Sequence, residues 1–345
     1  MKFIDYLNTN AKTITPVIRS ILTDWKALAK KTDQSLLPPV DLYIDRSFGG
    51  KTLRGVLVCL GYRIAGGKGS SEILKVAAAI EMFQTSILAH DDIIDLSPTR
   101  RGKPTIYKAL GDNHYALSQT ICLGDIGFFL ATQAIADSKF KPEYKVKALS
   151  SFSKMVINTC LGEMLDVELP RLKKGKTDKA VLTIHKLKTS YYTIIYPLTI
   201  GAILCGADED LLKEFEIFGE KLGIAFQIQD DILGVFGNEE QLGKSVTSDI
   251  EEGKNTLLIT EALKGANKNE KLFLKKHYGG QIAVTEEVHK RIKEIFESTG
   301  ALAYSQKQAL SYVRKGKKVI PQITKKKEIQ NLLYELADLI VSRDK

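Results

Sequence analysis

The stretch LAHDDIIDLSPTRRGKPT, Leu88 to Thr105, decides how the rest of this chain is read. Asp91, Asp92 and Asp95 close a long apolar segment, and a proline-marked loop then delivers Arg100, Arg101 and Lys103. Upstream, Ser71 to Asp95 is the longest uninterrupted helical pattern, with Ile73, Val76, Ala77, Ile80, Phe83, Ile87 and Ile94 on or near one stripe. From Val76 through Thr99 there is no lysine or arginine. Burying one uncompensated carboxylate costs on the order of several kcal/mol. An acidic cluster ending such a helix therefore asks for a cation, and the basic loop beyond it asks for an anion.

A second stretch repeats the arrangement. The helical pattern from Glu214 to Phe236 contains KLGIAFQIQDDILGVFG, whose Asp230 and Asp231 lie in an interval without basic residues from Leu222 to Gly243. It is followed by GNEEQLGKSVTSDIEEGKNT, too long for a simple connection and carrying Lys244, Asp249 and Lys254. Loops of this length are often functional lids. Carboxylates repel phosphate, so two acidic clusters flanked by cationic loops make sense where hard divalent ions bridge them, as Mg²⁺ does between carboxylates and phosphate oxygens. No cysteine or histidine set accompanies the aspartates, which argues against zinc, copper or iron.

The remaining sequence supplies walls for such a site. Helical spacing runs from Thr15 to Lys31, with LLPPV at 36–40 expected to end that helix, and FGGKTLRG (Phe48 to Gly55) is a glycine turn leading into a helix with Lys51 and Arg54 on one face. His114 to Ala136 and Tyr144 to Val167 read as helices, the latter carrying Glu163 and Asp166. Lys186, Lys188 and Thr189 fall in the first turn of an apolar helix starting at His185, a histidine with no ligand partner nearby and so read as structural. No stretch alternates at period two and no repeat appears. The expected fold is all-α, a single-domain helical bundle over 1–345 with a central active-site cavity. Phe83, Ser86, Ile87, Phe128, Phe129 and Phe226 would line its apolar shaft.

Composition narrows the classes. With 345 residues, 44% of them hydrophobic, the chain has material for a large core, and large all-helical enzymes bury one core at this length. A net charge of +9 favours polyanions: phosphates, nucleic acid or an acidic membrane. Nucleic-acid binding would need cations on one exposed face, whereas here they flank acidic clusters, and no aromatic-basic motif is present. Cys59, Cys122, Cys160 and Cys205 are widely spaced, which fits neither a zinc site nor a disulfide framework and suits a reducing cytoplasm. The longest apolar run, Tyr191 to Gly206, is short and broken by Pro197, so no transmembrane segment is expected.

Taken together these motifs resemble the trans-isoprenyl diphosphate synthases of the polyprenyl synthetase family, which includes farnesyl and geranylgeranyl diphosphate synthases. DDIIDLSPTRRG matches the first aspartate-rich motif with its arginine pair and FQIQDD the second; GGKTLR, EMFQ, KTS and the Lys244, Asp249, Lys254 loop fall in the family's order. The match runs from Gly49 to the C-terminus, residues 1–48 adding N-terminal helices. The resemblance implies the isoprenoid synthase fold, a homodimer and Mg²⁺ bound by Asp91, Asp95 and Asp230, with Asp92, Asp231 and Asp249 in support. It implies that Arg100, Lys188 and Lys254, with Lys244 nearby, hold an allylic diphosphate. Lys51, Arg54, Gln84 and Arg101 would hold isopentenyl diphosphate, and Thr189, Phe226 and Gln227 would line the reacting carbons. The reaction implied is head-to-tail condensation giving an all-trans polyprenyl diphosphate, whose lipid nature would allow transient membrane contact.

Two departures bear on the product. Gly234 stands where many members have a third aspartate, and Ser86 and Ile87, five and four residues before Asp91, are not aromatic, whereas in farnesyl synthases bulky side chains near there stop chain growth. Phe83, roughly 4.5 Å further along the helix, would be a deeper floor, with Phe128 or Phe129 opposite. The expected product is geranylgeranyl diphosphate, with a longer-chain or farnesyl product as alternatives. A terpene cyclase would need a different second metal motif and no isopentenyl site; a non-catalytic partner subunit would be expected to have lost aspartates.

Overall fold

The computed structural model describes residues 2–171, 177–239, 245–279 and 283–342. Helices dominate: α1 (Phe3–Thr32), α2 (Leu37–Arg46), α3 (Leu53–Ile64), α4 (Ser71–Ile94), α5 (Ile106–Ala109), α6 (His114–Ala136), α7 (Pro142–Glu168) and α8 (Asp178–Ile184). A π-helix over His185–Ile195 then runs directly into α9 (Tyr196–Leu204), and α10 (Glu209–Phe236) follows. Helices at Ser248–Glu252, Leu257–Gly265, Lys268–His277, Glu286–Ser298, Ala301–Lys317 and Lys327–Val341 complete the C-terminal part.

The ends of these helices are set by local chemistry. Ser70 accepts from the Ile73 amide at the start of α4, and Asn113 accepts from Ala116 at the start of α6. LLPPV behaves differently from the expectation. Helix α1 runs on to Thr32 with Pro16 inside it, and Pro38 and Pro39 begin α2, because proline lacks only an amide that a first helical turn leaves unpaired anyway. The one extended feature among the described residues is a two-residue ladder, β1 (Thr99–Arg100) against β2 (Lys103–Pro104), with Arg100 opposite Lys103.

The described chain groups into two compact units. The first comprises Met1–Lys154, Tyr196–Phe215 and Ile323–Leu332. Its core is α4 packed on α6, α3 and α1, with Val76, Ala77, Ile80 and Phe83 fully enclosed. Here α3 and α9 approach so closely that a Cβ on Gly61 would overlap the Leu198 carbonyl, and one on Gly201 the Val58 carbonyl. The second unit comprises Met155–Ile195, Glu216–Gln322 and Leu333–Lys345. It is built on α8, the π-helix and α10, with Val181, Ile224, Ile228, Ile232, Leu257 and Ala309 in one core cluster. A second cluster gathers Ile250, Leu258, Ile292, Ile295 and Phe296.

Both α4 and α6 are long and apolar enough to cross a membrane by length and composition, which the sequence reading did not anticipate. The apolar window of α4 is 61% buried within the protein, that of α6 only 33%.

Candidate active site

In the first unit, α4 ends in the aspartates. Asp91 and Asp95, one turn apart, offer carboxylate oxygens within 4.8 Å of one another. Asp92 is buried beside them, and burial pushes its carboxyl up to about 6 although Arg100 works against this. Arg100 donates from Nε to Asp92 Oδ1 at 2.6 Å and from Nη2 to Asp91 Oδ2 at 2.9 Å, so its positive charge is held firmly despite burial.

The arginine pair is parted by the hairpin. Arg101 and Gly102 both take positive φ, +54° and +70°, the pattern of a type I′ two-residue turn. Arg100 is thereby turned toward the aspartates, while Arg101 turns to the glycine loop, donating to the Phe48 carbonyl at 3.3 Å. A Cβ on Gly50 would come within 2.8 Å of Arg101 Nη2, so the bare glycine leaves room for that guanidinium. A cavity of about 210 Å³ opens here, with Arg46, Arg100, Arg101 and Lys103 at its charged side and Phe48, Leu88, Ala89 and Ile106 at its apolar side. Of the residues expected to hold isopentenyl diphosphate, Arg101 lines this cavity. Lys51 is exposed before α3, Arg54 is buried on α3 and Gln84 is half-buried on α4.

The second unit carries the other cluster. Lys188 Nζ lies 2.8 Å from both Glu163 and Asp166. Thr189 donates to Gln227 Oε1 at 2.5 Å, Gln227 donates to Asp231 Oδ1 at 2.9 Å, and His185 Nε2 stands 3.0 Å from Asp231 Oδ2. Burial raises the Asp231 carboxyl above its ordinary range, with His185 and Gln227 opposing. Asp230 and Phe226 are half-buried on the same helix. Lys254 reaches Asp249 at 3.3 Å and Glu252 at 3.0 Å. Gly234 has a clear purpose: a Cβ there would overlap Asp249 Oδ2, so the buried Asp249 carboxylate comes up against the helix where a third motif aspartate is absent. Lys244 lies outside the described residues.

Residues 36–296 match the polyprenyl synthetase family. The chain belongs to that family. The geranylgeranyl diphosphate synthase of Sulfolobus acidocaldarius is 30% identical over 348 residues, 99% of each chain. The geranylfarnesyl diphosphate synthase of Aeropyrum pernix is 34% identical over 306 residues, 86% of this chain and 91% of that one. A geranylgeranyl pyrophosphate synthase from Corynebacterium glutamicum, crystallised with isoprenyl diphosphate and magnesium, superimposes with a TM-score of 0.85 at 28% identity, over 96% of this chain and 98% of that one. The fold is the all-α fold of these polyprenyl synthases.

The residues expected from the sequence to line the apolar shaft differ in burial. Phe83 is fully buried, its ring 5.5 Å from Phe128 and 5.4 Å from Phe152. Phe129 is 73% exposed, which corrects its assignment to the wall. Successive helical residues point about 100° apart, so only one of the pair can meet α4. Ser86 is fully buried with its hydroxyl 2.8 Å from Tyr43 Oη, and Ile87 is half-buried.

Sequence reasoning missed four contributors. Glu81 accepts from the Gly55 amide at 2.7 Å; burial raises its carboxyl, while nearby Arg54 and Arg101 oppose. It was detectable, being the only charge between Val76 and Ala89. Glu163 and Asp166 were seen only as an acidic pair, and Tyr43 carried no signal in the sequence.

Proposed function

We propose that this polyprenyl synthetase condenses isopentenyl diphosphate with an allylic diphosphate, with Mg²⁺ as the metal and geranylgeranyl diphosphate as the product. The observation that carries the reading is the end of α4, where Asp91 and Asp95 sit 4.8 Å or less apart and a type I′ turn sends one arginine to the aspartates and the next to the glycine loop. An all-oxygen donor set of this kind fits a hard divalent cation. In the first unit Asp91 and Asp95 would hold it, with Asp92 in support; the second unit offers carboxylates of the same kind in Asp230, with Asp231 and Asp249 in support.

When bound, the metal supplies charge neutralisation for diphosphate. The chain's own cations do the rest of the binding. In the first unit Arg100 would meet the allylic diphosphate, and Lys51, Arg54 and Arg101, with the neutral Gln84 amide, would meet isopentenyl diphosphate; Lys188 and Lys254 are the cations that the second unit offers to an allylic diphosphate. The allylic C–O bond breaks, its electron pair leaving with pyrophosphate. The double bond of isopentenyl diphosphate supplies the pair for the new C–C bond, and the released pyrophosphate takes the proton lost next to it. The Phe226 face and the Thr189 and Gln227 dipoles stabilise the transient positive charge.

Two attributes accompany this reading. On α6, Tyr115, Ile126 and Phe129 are exposed at spacings that share one face, which supports a homodimer through α6; a doubled mass by light scattering tests it. We also propose a cytoplasmic location, which the four widely spaced cysteines suit. Incubating the full chain with isopentenyl diphosphate, Mg²⁺ and C5, C10 or C15 allylic primers, followed by mass spectrometry, should give a C20 diphosphate. No condensation with any primer overturns the proposal.

A further inference from the structure

His185 has no ligand partner nearby in the sequence, and the fold gives it a specific neighbour. It is the first residue of the π-helix and is 2% exposed. In a π-helix the turn closes at i+5, one residue wider than in an α-helix. Thr189 meets Gln227 and His185, four residues earlier on that element, meets Asp231, four residues later on α10. The result is one continuous chain of contacts. Thr189 gives its hydroxyl proton to Gln227 Oε1, Gln227 gives its amide proton to Asp231 Oδ1, and His185 Nε2 covers Asp231 Oδ2 at 3.0 Å. The ring's other nitrogen, Nδ1, is buried with no hydrogen-bond partner among the described residues. Asp231 Oδ2 is likewise buried without a hydrogen-bond partner of good geometry, so a proton on Nε2, 3.0 Å away, is the one that a small turn of the ring delivers to the carboxylate, whereas a proton on Nδ1 would be stranded.

We infer that His185 is a positioning residue for Asp231 and Gln227, fixing which way the second aspartate motif presents its free lone pairs and which way the Gln227 amide dipole points. The inference rests on the prenyltransferase reading above. Without the ring, Asp231 Oδ2 loses the nitrogen that stands 3.0 Å from it, and Gln227 alone is left to hold the carboxylate. A carboxylate that turns away from its place no longer meets the Gln227 amide at 2.9 Å, which loosens the amide that Thr189 donates to. Partners standing behind ligating groups in this way are typically worth about 10- to 100-fold in metal affinity or activity.

The test compares His185→Leu, which keeps bulk and removes the donor, with His185→Gln, whose amide nitrogen reaches to about the place of Nε2. Mn²⁺ binding in the presence of inorganic pyrophosphate is followed by electron paramagnetic resonance, alongside kcat and both KM values and the melting temperature. The expected result for H185L is Mn²⁺ affinity and kcat each lowered by about 10- to 100-fold, an unchanged KM for isopentenyl diphosphate, and recovery of most of both losses in H185Q. Wild-type Mn²⁺ affinity and kcat in folded H185L overturn the inference, as does an equal loss in H185Q. If the wild-type chain itself condenses nothing, the functional reading falls, and the Mn²⁺ titration still decides the role of His185.

Discussion

Phe83→Ala tests the proposed floor of the product site most directly. Phe83 is fully buried on α4, with Phe128 stacked at a tilt on one side and Phe152 set edge-on on another, at 5.5 and 5.4 Å between ring centroids. Truncating a core phenylalanine to alanine costs roughly 3–5 kcal/mol, and each lost ring pair accounts for about 0.5–1.5 kcal/mol beyond its buried area. At about 2.1 cal/mol/K of unfolding entropy per residue, a chain of 345 residues shifts by about 1.4 °C per kcal/mol, and the melting temperature should fall by roughly 4–7 °C. The vacated ring lies three residues, or roughly 4.5 Å, beyond Ser86 along the helix, the length of about one extended isoprene unit. The product should therefore gain one C5 unit, and a long allylic diphosphate should restore more of the lost melting temperature in the variant than in the wild type. Products are read by mass spectrometry after incubation with isopentenyl diphosphate and a C15 primer. Phe83→Leu, a milder truncation, keeps the experiment decisive if the alanine variant does not fold. An unchanged product distribution in a folded variant refutes the floor.

Gly234→Ala should force the Asp249 carboxylate away from α10, since the new Cβ overlaps Asp249 Oδ2 and Asp249 is buried with little room to yield. Turnover should fall and the Mg²⁺ concentration for half-maximal rate should rise, while circular dichroism stays that of the wild type; unchanged metal dependence counts against a role for Asp249. Asp178 accepts from Tyr304 at 2.6 Å and from Thr260 and Lys264 at 3.1 Å. Partial burial works against its charge, but these donors outweigh it and hold the carboxyl below its ordinary range. A depressed folded value means that the stabilisation is present above the unfolded aspartate pKa of about 3.9 and is lost as pH falls through the lower folded value. Asp178→Asn should accordingly melt earlier by an amount set by about 1–2 kcal/mol at neutral pH, with the difference from wild type vanishing toward pH 3. A difference that persists undiminished in acid would exclude the charge as its source.

The parts of this fold that were legible are those in which one local rule dominates over many residues. Helices α4, α6 and α10 announce themselves by long apolar periodicity, and Ser70 and Asn113 mark two of their starts with side-chain caps. The aspartate clusters were legible for a related reason, because charge without countercharge in an apolar helix is conspicuous. What stayed hidden depends on a partner far away in sequence. The π-helix from His185 has an ordinary buried-helix composition, and its widened turn is visible only in what it aligns with Gln227 and Asp231. The separation of Arg100 from Arg101 comes from two successive positive φ angles, one of them at an arginine, a conformation with no favourable local signal.

Ser86 shows most clearly how such a partner changes a functional reading. A serine five residues before the first aspartate suggests an open shaft, since it replaces a bulky side chain by a small one. In the structure that volume is occupied. Tyr43 of α2 brings its hydroxyl to 2.8 Å from Ser86 Oγ and 3.1 Å from the Met82 carbonyl, backed by Trp25 set edge-on at 5.5 Å. Gly127 of α6 closes the same spot, for any Cβ there would overlap both hydroxyls. A larger residue at 86 must therefore displace Tyr43 before it can shorten a product, and overpacking of this kind costs about 1–3 kcal/mol. Small size on a helix is thus not the same as free space. On the proposed function, any control of product length at Ser86 passes through a tyrosine 43 residues upstream that no pattern around the aspartates reveals.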